Sequence, residues 1–523
     1  MFLIVEQCSW FPSLGDCGLP LWDAANEVAP VSSSCSALQC PANRICVSQL
    51  KEQYGFTYET NCDVECILHL YAAGGIEHCA RSLDGVFVFC IVDSTKQRVF
   101  VGRDPYGVRP VFRLCTVTGI LGICSEAKGL IDLSHELDGA AWKLEPFPPG
   151  CVEEYEIEED GRTRAVMRNQ FYSIGDRPFF EPFIPYDSLS TKDVHANIRT
   201  LLTAAVKKRL MSDRRIGCLL SGGLDSSLVA ALLVKLAKEE NLPYKIQSFA
   251  IGMGDSPDIE AAREVAKHIG TEHHEVTFTP EDVMRVLDKV IYHLETPDIT
   301  TVRASVGMYL ISDFIKQHSD TTVVFSGEGA DEVAQGYIYF RDAPSAVVAH
   351  DDSLRLLRDI YLFDGLRADR TTAAHGLELR VPFLDLQFTN YYLGLPAAMR
   401  QPQGGVEKHL LRSAFDSTDL LPKSILWRHK EAFSDGVASA KKSLFQVIQE
   451  LVDSKWSNDM LDKERSKYSH CTPTTKEALY YREVFEKNFP NQDHFMPYFW
   501  MPQWTDAKDP SARFISHYAA DKQ

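Results

Sequence analysis

Apolar positions in the second half of the chain switch repeatedly between a helical and an extended period. "VHANIRTLLTAAVKKRL" (194–210) repeats every three to four residues and predicts an amphipathic helix. After it come "IGCLLS" (216–221), a helical "LVAALLVKLAKE" (228–239), "KIQSFAIG" (245–252), and a helix from about Ile259. "HHEVTFT" (273–279), more helices and "TVVFSGEG" (322–329) follow. Alternating strands and helices predict a parallel sheet with helices on both faces, an α/β doubly wound architecture. From about residue 336 the pattern is largely helical.

The first third reads differently. "ECILHLYAAGGIEHCARSL" (65–83) is helical and broken at Gly74-Gly75, whereas "GVFVFCIVD" (85–93) and "RVFVGRD" (98–104) are strand-like. "GILGICSEAKGL" (119–130) reads as strand then turn. Residues 61–170 thus predict a mixed α and β domain with antiparallel strands. Residues 1–60 carry little periodicity, and "NEVAPVSSSCSALQCPANR" (26–44) reads as loop. "SIGDRPFFEPFIPYDSLSTKD" (173–193) has three prolines and no period, which places a linker at 171–193 and a second domain at 194–523.

Composition narrows the function classes. A formal net charge of −18 argues against a nucleic-acid surface, and no apolar run reaches membrane-spanning length. The basic clusters Lys207-Lys208-Arg209 and Arg214-Arg215 read as solvated helix ends. The N-terminus has no basic region before its apolar residues, as a secretory signal would. Of 14 cysteines, twelve lie in the first 151 residues, and none forms a Cys-x-x-Cys pair. They read as reduced, buried thiols of a cytosolic protein.

Three segments fall at strand ends, where an open α/β sheet binds its ligands. Ser221-Gly222-Gly223-Leu224-Asp225-Ser226-Ser227 opens a helix after a strand. Glycines allow close approach to an anion, hydroxyls donate, and Asp225 suits a phosphate loop only if a cation such as Mg²⁺ intervenes. Phe249-Ala250-Ile251-Gly252-Met253 ends the neighbouring strand. Ser326-Gly327-Glu328-Gly329-Ala330-Asp331-Glu332 holds three carboxylates, which need cations or protons to compensate them.

The first of these resembles the pyrophosphate loop of enzymes that cleave ATP between its α and β phosphates. With "ETPDITTVRAS" (295–305), "AHGLELRVPFLD" (374–385), "EKHLLR" (407–412), "WRHKEAFSDG" (427–436) and "DPSAR" (509–513), the chain from about 62 to 516 resembles the glutamine-hydrolysing asparagine synthetases. That resemblance implies an N-terminal-nucleophile-type glutaminase sandwich followed by an ATP pyrophosphatase domain. It implies amidation of L-aspartate through β-aspartyl-AMP, with ATP as substrate and Mg²⁺ as cofactor. Carried over, Ser221, Gly222, Gly223, Asp225, Ser226 and Ser227 hold pyrophosphate. Leu219, Leu220, Ile251, Ser326 and Gly327 line the AMP site, and Asp225 and Asp331 bind metal. Thr300, Thr301 and Arg303 hold the aspartyl-adenylate, Glu328 assists catalysis, and Lys430 supplies a cation for phosphate. Asp63 matches the carboxylate for the glutamine α-amino group. The expected partners are small molecules: L-aspartate, ATP, and ammonia or L-glutamine. No nucleic acid or membrane partner is expected, and a homodimer stays open.

The likeness fails in residues 1–60. The family's glutaminase uses a Cys exposed once Met is removed, and here residue 2 is Phe. The R-G-P-D turn and the N-G-E segment are absent. The resemblance therefore implies an incomplete sandwich with unpaired apolar edges, a relic Asp63, and ammonia as nitrogen donor. The alternative is a non-catalytic or dominant-negative paralogue or splice form.

Overall fold

The structure, a computed structural model, describes residues 2–5, 50–52, 54–59, 64–133, 137, 141–176, 189–254, 256–429, 444–511 and 515. Asp63 and Lys430 lie outside the described residues. The chain divides into two compact units, Met1–Glu181 and Pro182–Gln523.

The first unit holds two four-stranded sheets. One has the order β1 (Phe2–Val5), β5 (Leu121–Cys124), β4 (Phe112–Thr116), β6 (Trp142–Pro146). The other runs β2 (Val88–Asp93), β3 (Arg98–Arg103), β7 (Cys151–Ile157), β8 (Thr163–Gln170), antiparallel throughout. Side chains from both sheets share one core: Val88, Cys90, Val99 and Val101 meet Leu121, Ile123 and Phe147. Alternate residues face the other way, and there Phe100 meets Tyr71 of the Glu65–Ser82 helix at 5.3 Å between rings. Burial on both faces explains why "VFVFCIVD" reads as a continuous apolar run. The helix kinks at Gly75, with φ 80° and ψ −175°, where the sequence predicted a break.

The sequence placed no element within residues 1–60, yet Phe2–Val5 is a strand, pairing in parallel with β5. Four residues are too few to display a period, and the backbone of β5 supplies the partner. β5 is consequently paired on both sides, by β1 and β4. Among the described residues, Cys115, Cys151, Cys218 and Cys471 are free thiols.

The second unit is built on a five-stranded parallel sheet. Its order is β11 (Glu272–Thr277), β10 (Gln247–Gly252), β9 (Arg215–Leu219), β12 (Thr321–Phe325), β13 (Glu378–Arg380). β13 was not expected, because its three residues, Glu-Leu-Arg, carry no apolar signal. Its place in the sheet comes from pairing with β12. Helix starts follow local chemistry. Thr279 and Asp282 form a reciprocal cap with Pro280 in the first turn, and Asp298 accepts from the Thr301 amide at the head of Ile299–His318. The helix expected from about Ile259 begins at Pro257.

The cluster Lys207-Lys208-Arg209 is not simply solvated. Lys207 is exposed and pairs with Glu240, but Lys208 and Arg209 are buried on Asp385, at 2.7 and 2.9 Å. Among the described residues no helix is long and apolar enough to cross a membrane.

Candidate active site

The strand order gives the second unit a switch point. From β9 the chain winds outward through β10 to β11, then returns to build β12 and β13 on the other side. Connections leaving β9 and β12 in opposite directions open a crevice beyond their carboxyl ends. Ser221–Gly223 follows β9 there, and Ser326–Gly329 follows β12.

Glycines bring these loops together. Gly222 has φ +72°, and a Cβ on it would lie 2.5 Å from Ala261 of the Pro257–Ile269 helix. A Cβ on Gly327 would lie 2.7 Å from the Ser226 nitrogen and 2.8 Å from the Asp225 carbonyl carbon. The β12 loop thus rests against the first turn of the Leu224–Glu239 helix. No side chain caps that helix, whose N-cap is Gly223. Its first-turn amides have no intrahelical acceptors, a setting that favours an anion. The loop's hydroxyls bond to one another: Ser226 Oγ accepts from the Ser221 amide at 3.2 Å and lies 3.0 Å from Ser221 Oγ.

Leu219, Leu220, Ser221, Gly223, Asp225, Ser226, Ile251, Ser326, Gly327, Glu328 and Asp331 all line one cleft. Gly222 and Ser227 do not: Gly222 shapes the backbone, and Ser227 is wholly buried inside the helix. Phe249, Met308 and Ile311 add apolar wall.

A second cavity holds Thr300, Arg303, Tyr337, Trp500 and Ser511. Gly327, Glu328, Asp331 and Arg367 line both, so the two meet at these residues. The Thr300 hydroxyl is buried with no hydrogen-bond partner among the described residues. Thr301 is turned away from the cavity, its amide and hydroxyl bonding Asp298 at 2.9 and 2.8 Å. Arg303 is not a free guanidinium. It grips Glu477 at 2.7 and 2.6 Å and Asp509 at 2.8 and 2.9 Å.

The acidic turn after β12 is compensated by side chains. Arg367 donates to Glu328 at 2.9 Å and to Asp364 at 2.7 Å. Burial alone would lower its pKa, but those two carboxylates hold it above the ordinary range. Lys408 Nζ lies 2.5 Å from Asp225 Oδ2 and 2.6 Å from Asp331 Oδ1. For Glu332, burial, then the charges of Asp364 and Asp331, push the carboxyl well above its ordinary range. The Tyr337 hydroxyl lies 2.6 Å from Glu332 and 2.8 Å from Asp364, with a single proton to donate to the pair.

Known proteins match this sequence. The asparagine synthase family model matches residues 197–351 and 346–508, and the glutamine amidotransferase domain model matches 45–144. Asparagine synthetase [glutamine-hydrolyzing] of Gallus gallus is 55% identical over 474 residues, 90% of this chain and 84% of that protein. That of Bos taurus is 53% identical over 476 residues, 90% and 85% of the two chains. The chain belongs to the asparagine synthase family. Among solved structures, NMN synthetase from Francisella tularensis is 13% identical over 59% of this chain and 96% of that one, at a TM-score of 0.22, too low to weigh.

Within this asparagine synthase family member, the sequence had not singled out Lys408, Arg367, Arg412 or Arg428. Arg412 and Arg428 also line the cleft, and Arg428 pairs with Asp258 at 2.8 Å. Lys408 and Arg412 sit inside "EKHLLR", so a buried Lys-Arg pair in an otherwise apolar helix start was the signal available. Arg367 had none, since Asp364–Ala373 reads as an ordinary polar helix. As a Mg²⁺ site, the pair Asp225 and Asp331 offers hard carboxylate oxygens, and Asp225 Oδ1 is buried without a hydrogen-bond partner among the described residues. That donor set fits a magnesium ion that takes its remaining ligands from phosphate and water. It also holds an ammonium between the carboxylates, which the sequence did not anticipate.

Proposed function

We propose that this chain catalyses the ATP-dependent amidation of L-aspartate to L-asparagine through β-aspartyl-AMP, releasing AMP and pyrophosphate. The observation carrying this reading is the meeting of two cavities at Glu328 and Arg367. One has a phosphate-type loop at a helix N-terminus, and the other has a buried hydroxyl, that of Thr300, with no hydrogen-bond partner among the described residues, beside the ion-paired Arg303 and Arg367.

In this reading adenylate lies against Leu219, Leu220, Ile251, Ser326 and Gly327. Pyrophosphate lies on Ser221, Gly223 and Ser226 at the uncapped helix. Aspartate occupies the second cavity, with Thr300 donating to it. Its β-carboxylate attacks the α phosphorus, and the bond to pyrophosphate breaks. Ammonia then adds to the acyl carbon and AMP leaves. Glu328, held by Arg367 between the cavities, is the group placed to take the proton that ammonia gives up. Asp225 and Asp331 would hold Mg²⁺, which when bound neutralises phosphate charge. Thr301 is assigned to capping its helix, and Arg303 to fixing Asp509 beside the cavity.

Free ammonia is the proposed nitrogen donor. Residue 2 is Phe, and residues 1–60 carry neither R-G-P-D nor N-G-E. The free thiols fit a cytosolic location. The test supplies aspartate and Mg-ATP with either ammonium or glutamine, and measures asparagine, AMP and pyrophosphate. Ammonium should support all three products and glutamine little. Absence of AMP with aspartate and ammonium present would remove the synthetase reading. Equal yield from glutamine would remove only the donor assignment.

A further inference from the structure

Lys408 is buried to 2% exposure and held in a left-handed backbone conformation, φ 55° and ψ 28°. A residue with a side chain adopts that conformation at a cost in strain, where its surroundings hold it there. The surroundings here are specific. Arg412, almost fully buried, donates to the Glu407 carbonyl at 2.9 Å and to the Leu426 carbonyl at 2.6 Å. Arg341 pairs with the buried Glu407 carboxylate. Gly336 completes the seat: a Cβ there would lie 2.0 Å from both Lys408 Cε and Asp331 Oδ1. The Lys408 ammonium is thereby delivered between Asp225, in the first turn of the helix after β9, and Asp331, in the short Ala330–Val333 helix after β12.

We propose that Lys408 is a resident counter-cation that keeps the Asp225–Asp331 pair closed to a divalent metal until nucleotide enters, so that Mg²⁺ binds only together with ATP. The inference rests on the nucleotide reading of this cleft. Two carboxylates converging in a buried site are unstable unless a cation lies between them. Lys408 supplies that cation from within the chain. A metal arriving alone must displace a paired, desolvated ammonium and leave it with no anionic partner. Arg412 adds further positive charge against the same two carboxylates. Nucleotide phosphates change the balance, because they give the ammonium another anion beside the cleft that Lys408 lines. Metal and nucleotide affinity are then coupled through one side chain, and the coupling is reciprocal.

The test is equilibrium dialysis of Mn²⁺ with the full-length chain, with and without α,β-methylene-ATP, after correction for metal carried by free nucleotide. Nucleotide-free wild type should hold Mn²⁺ at least about tenfold more weakly than Lys408→Met, a factor within the usual range for coupled sites. Lys408→Arg keeps the cation and should hold metal as weakly as wild type. A nucleotide-free wild type that binds Mn²⁺ as tightly as Lys408→Met, or a Lys408→Arg protein that does, overturns the inference. Should Lys408→Met fail to fold, the wild type decides: Mn²⁺ held equally well without and with the analogue overturns it. Calorimetry separates the two readings. An analogue that does not bind removes the nucleotide reading and this inference together, whereas an analogue that binds a protein already loaded with Mn²⁺ removes the inference alone.

Discussion

Gly327 is the residue on which contact between the two strand-end loops depends. An added methyl would meet backbone and Cβ atoms of Asp225 and Ser226 rather than a flexible side chain, so the loops must part. Gly327→Ala should raise KM for ATP by about tenfold or more while leaving the melting temperature within a few degrees, since the strain falls on loops at the mouth of the sheet. Steady-state kinetics beside a thermal melt would check this, and an unchanged KM would count against the nucleotide reading of the loop. Glu328→Gln keeps shape but removes the charge that Arg367 pairs with, and the group placed to accept a proton. It should lower kcat by about 100-fold, within the range for a positioned acid or base, with little change in KM for ATP. These residues were legible in the sequence because glycines and carboxylates after an apolar strand are conspicuous. Their cationic partners were not. Lys408 lies 183 residues from Asp225, and Arg367 lies 39 from Glu328. Nothing local marks which of 54 Lys and Arg residues will meet which acid.

Helices and strands place these groups, and two ties between elements are testable. Arg303, on Ile299–His318, holds Glu477 of the Lys476–Asn488 helix and Asp509 of the C-terminal segment. That segment also supplies Trp500 and Ser511 to the second cavity. Asp509→Asn should therefore loosen the cavity wall and raise KM for aspartate by about tenfold, with KM for ATP unchanged; equal changes in both would show a general loss of fold instead. The second tie joins the end of Thr191–Lys207 to the start of Leu386–Gly394 through Asp385. Burial alone would raise the Asp385 pKa, but Lys208 and Arg209 outweigh it and hold the carboxyl below the usual range. The unfolded state therefore binds the proton more readily. Stability from this group is present above the ordinary carboxylate pKa of about 4 and is lost as pH falls toward the lower folded value. Asp385→Asn should cost about 3–5 kcal/mol at neutral pH, as for a buried pair broken on one side, and should flatten the fall in stability below pH ~4. Denaturant melts at a series of pH values would show it. The sequence placed the helix end correctly but took its charges for solvated ones, because an acid 177 residues downstream of Lys208 leaves no local trace.

For the whole molecule, the sequence by itself determined the class of each half. Period-two runs beside period-3.6 runs, and loop chemistry after strands, are local signals carried by a few consecutive residues. They sufficed for a parallel α/β sheet, for a mixed first domain with antiparallel strands, and for the segments that would meet at the strand ends, whereas a sandwich was implied only by the family resemblance. Tertiary structure decided the rest. It set the order β11-β10-β9-β12-β13, and with it the switch point that makes neighbours of the β9 and β12 loops. It drew in short strands with no pattern of their own, Phe2–Val5 and Glu378–Arg380, because a sheet edge offers backbone partners whatever the side chains. It turned Thr301 toward Asp298 and left the Thr300 hydroxyl facing the site, a choice between adjacent residues made by helix rotation alone. And it set Lys408 between Asp225 and Asp331 and Arg367 beside Glu328, since desolvated charge must be neutralised by whichever group the fold brings within reach.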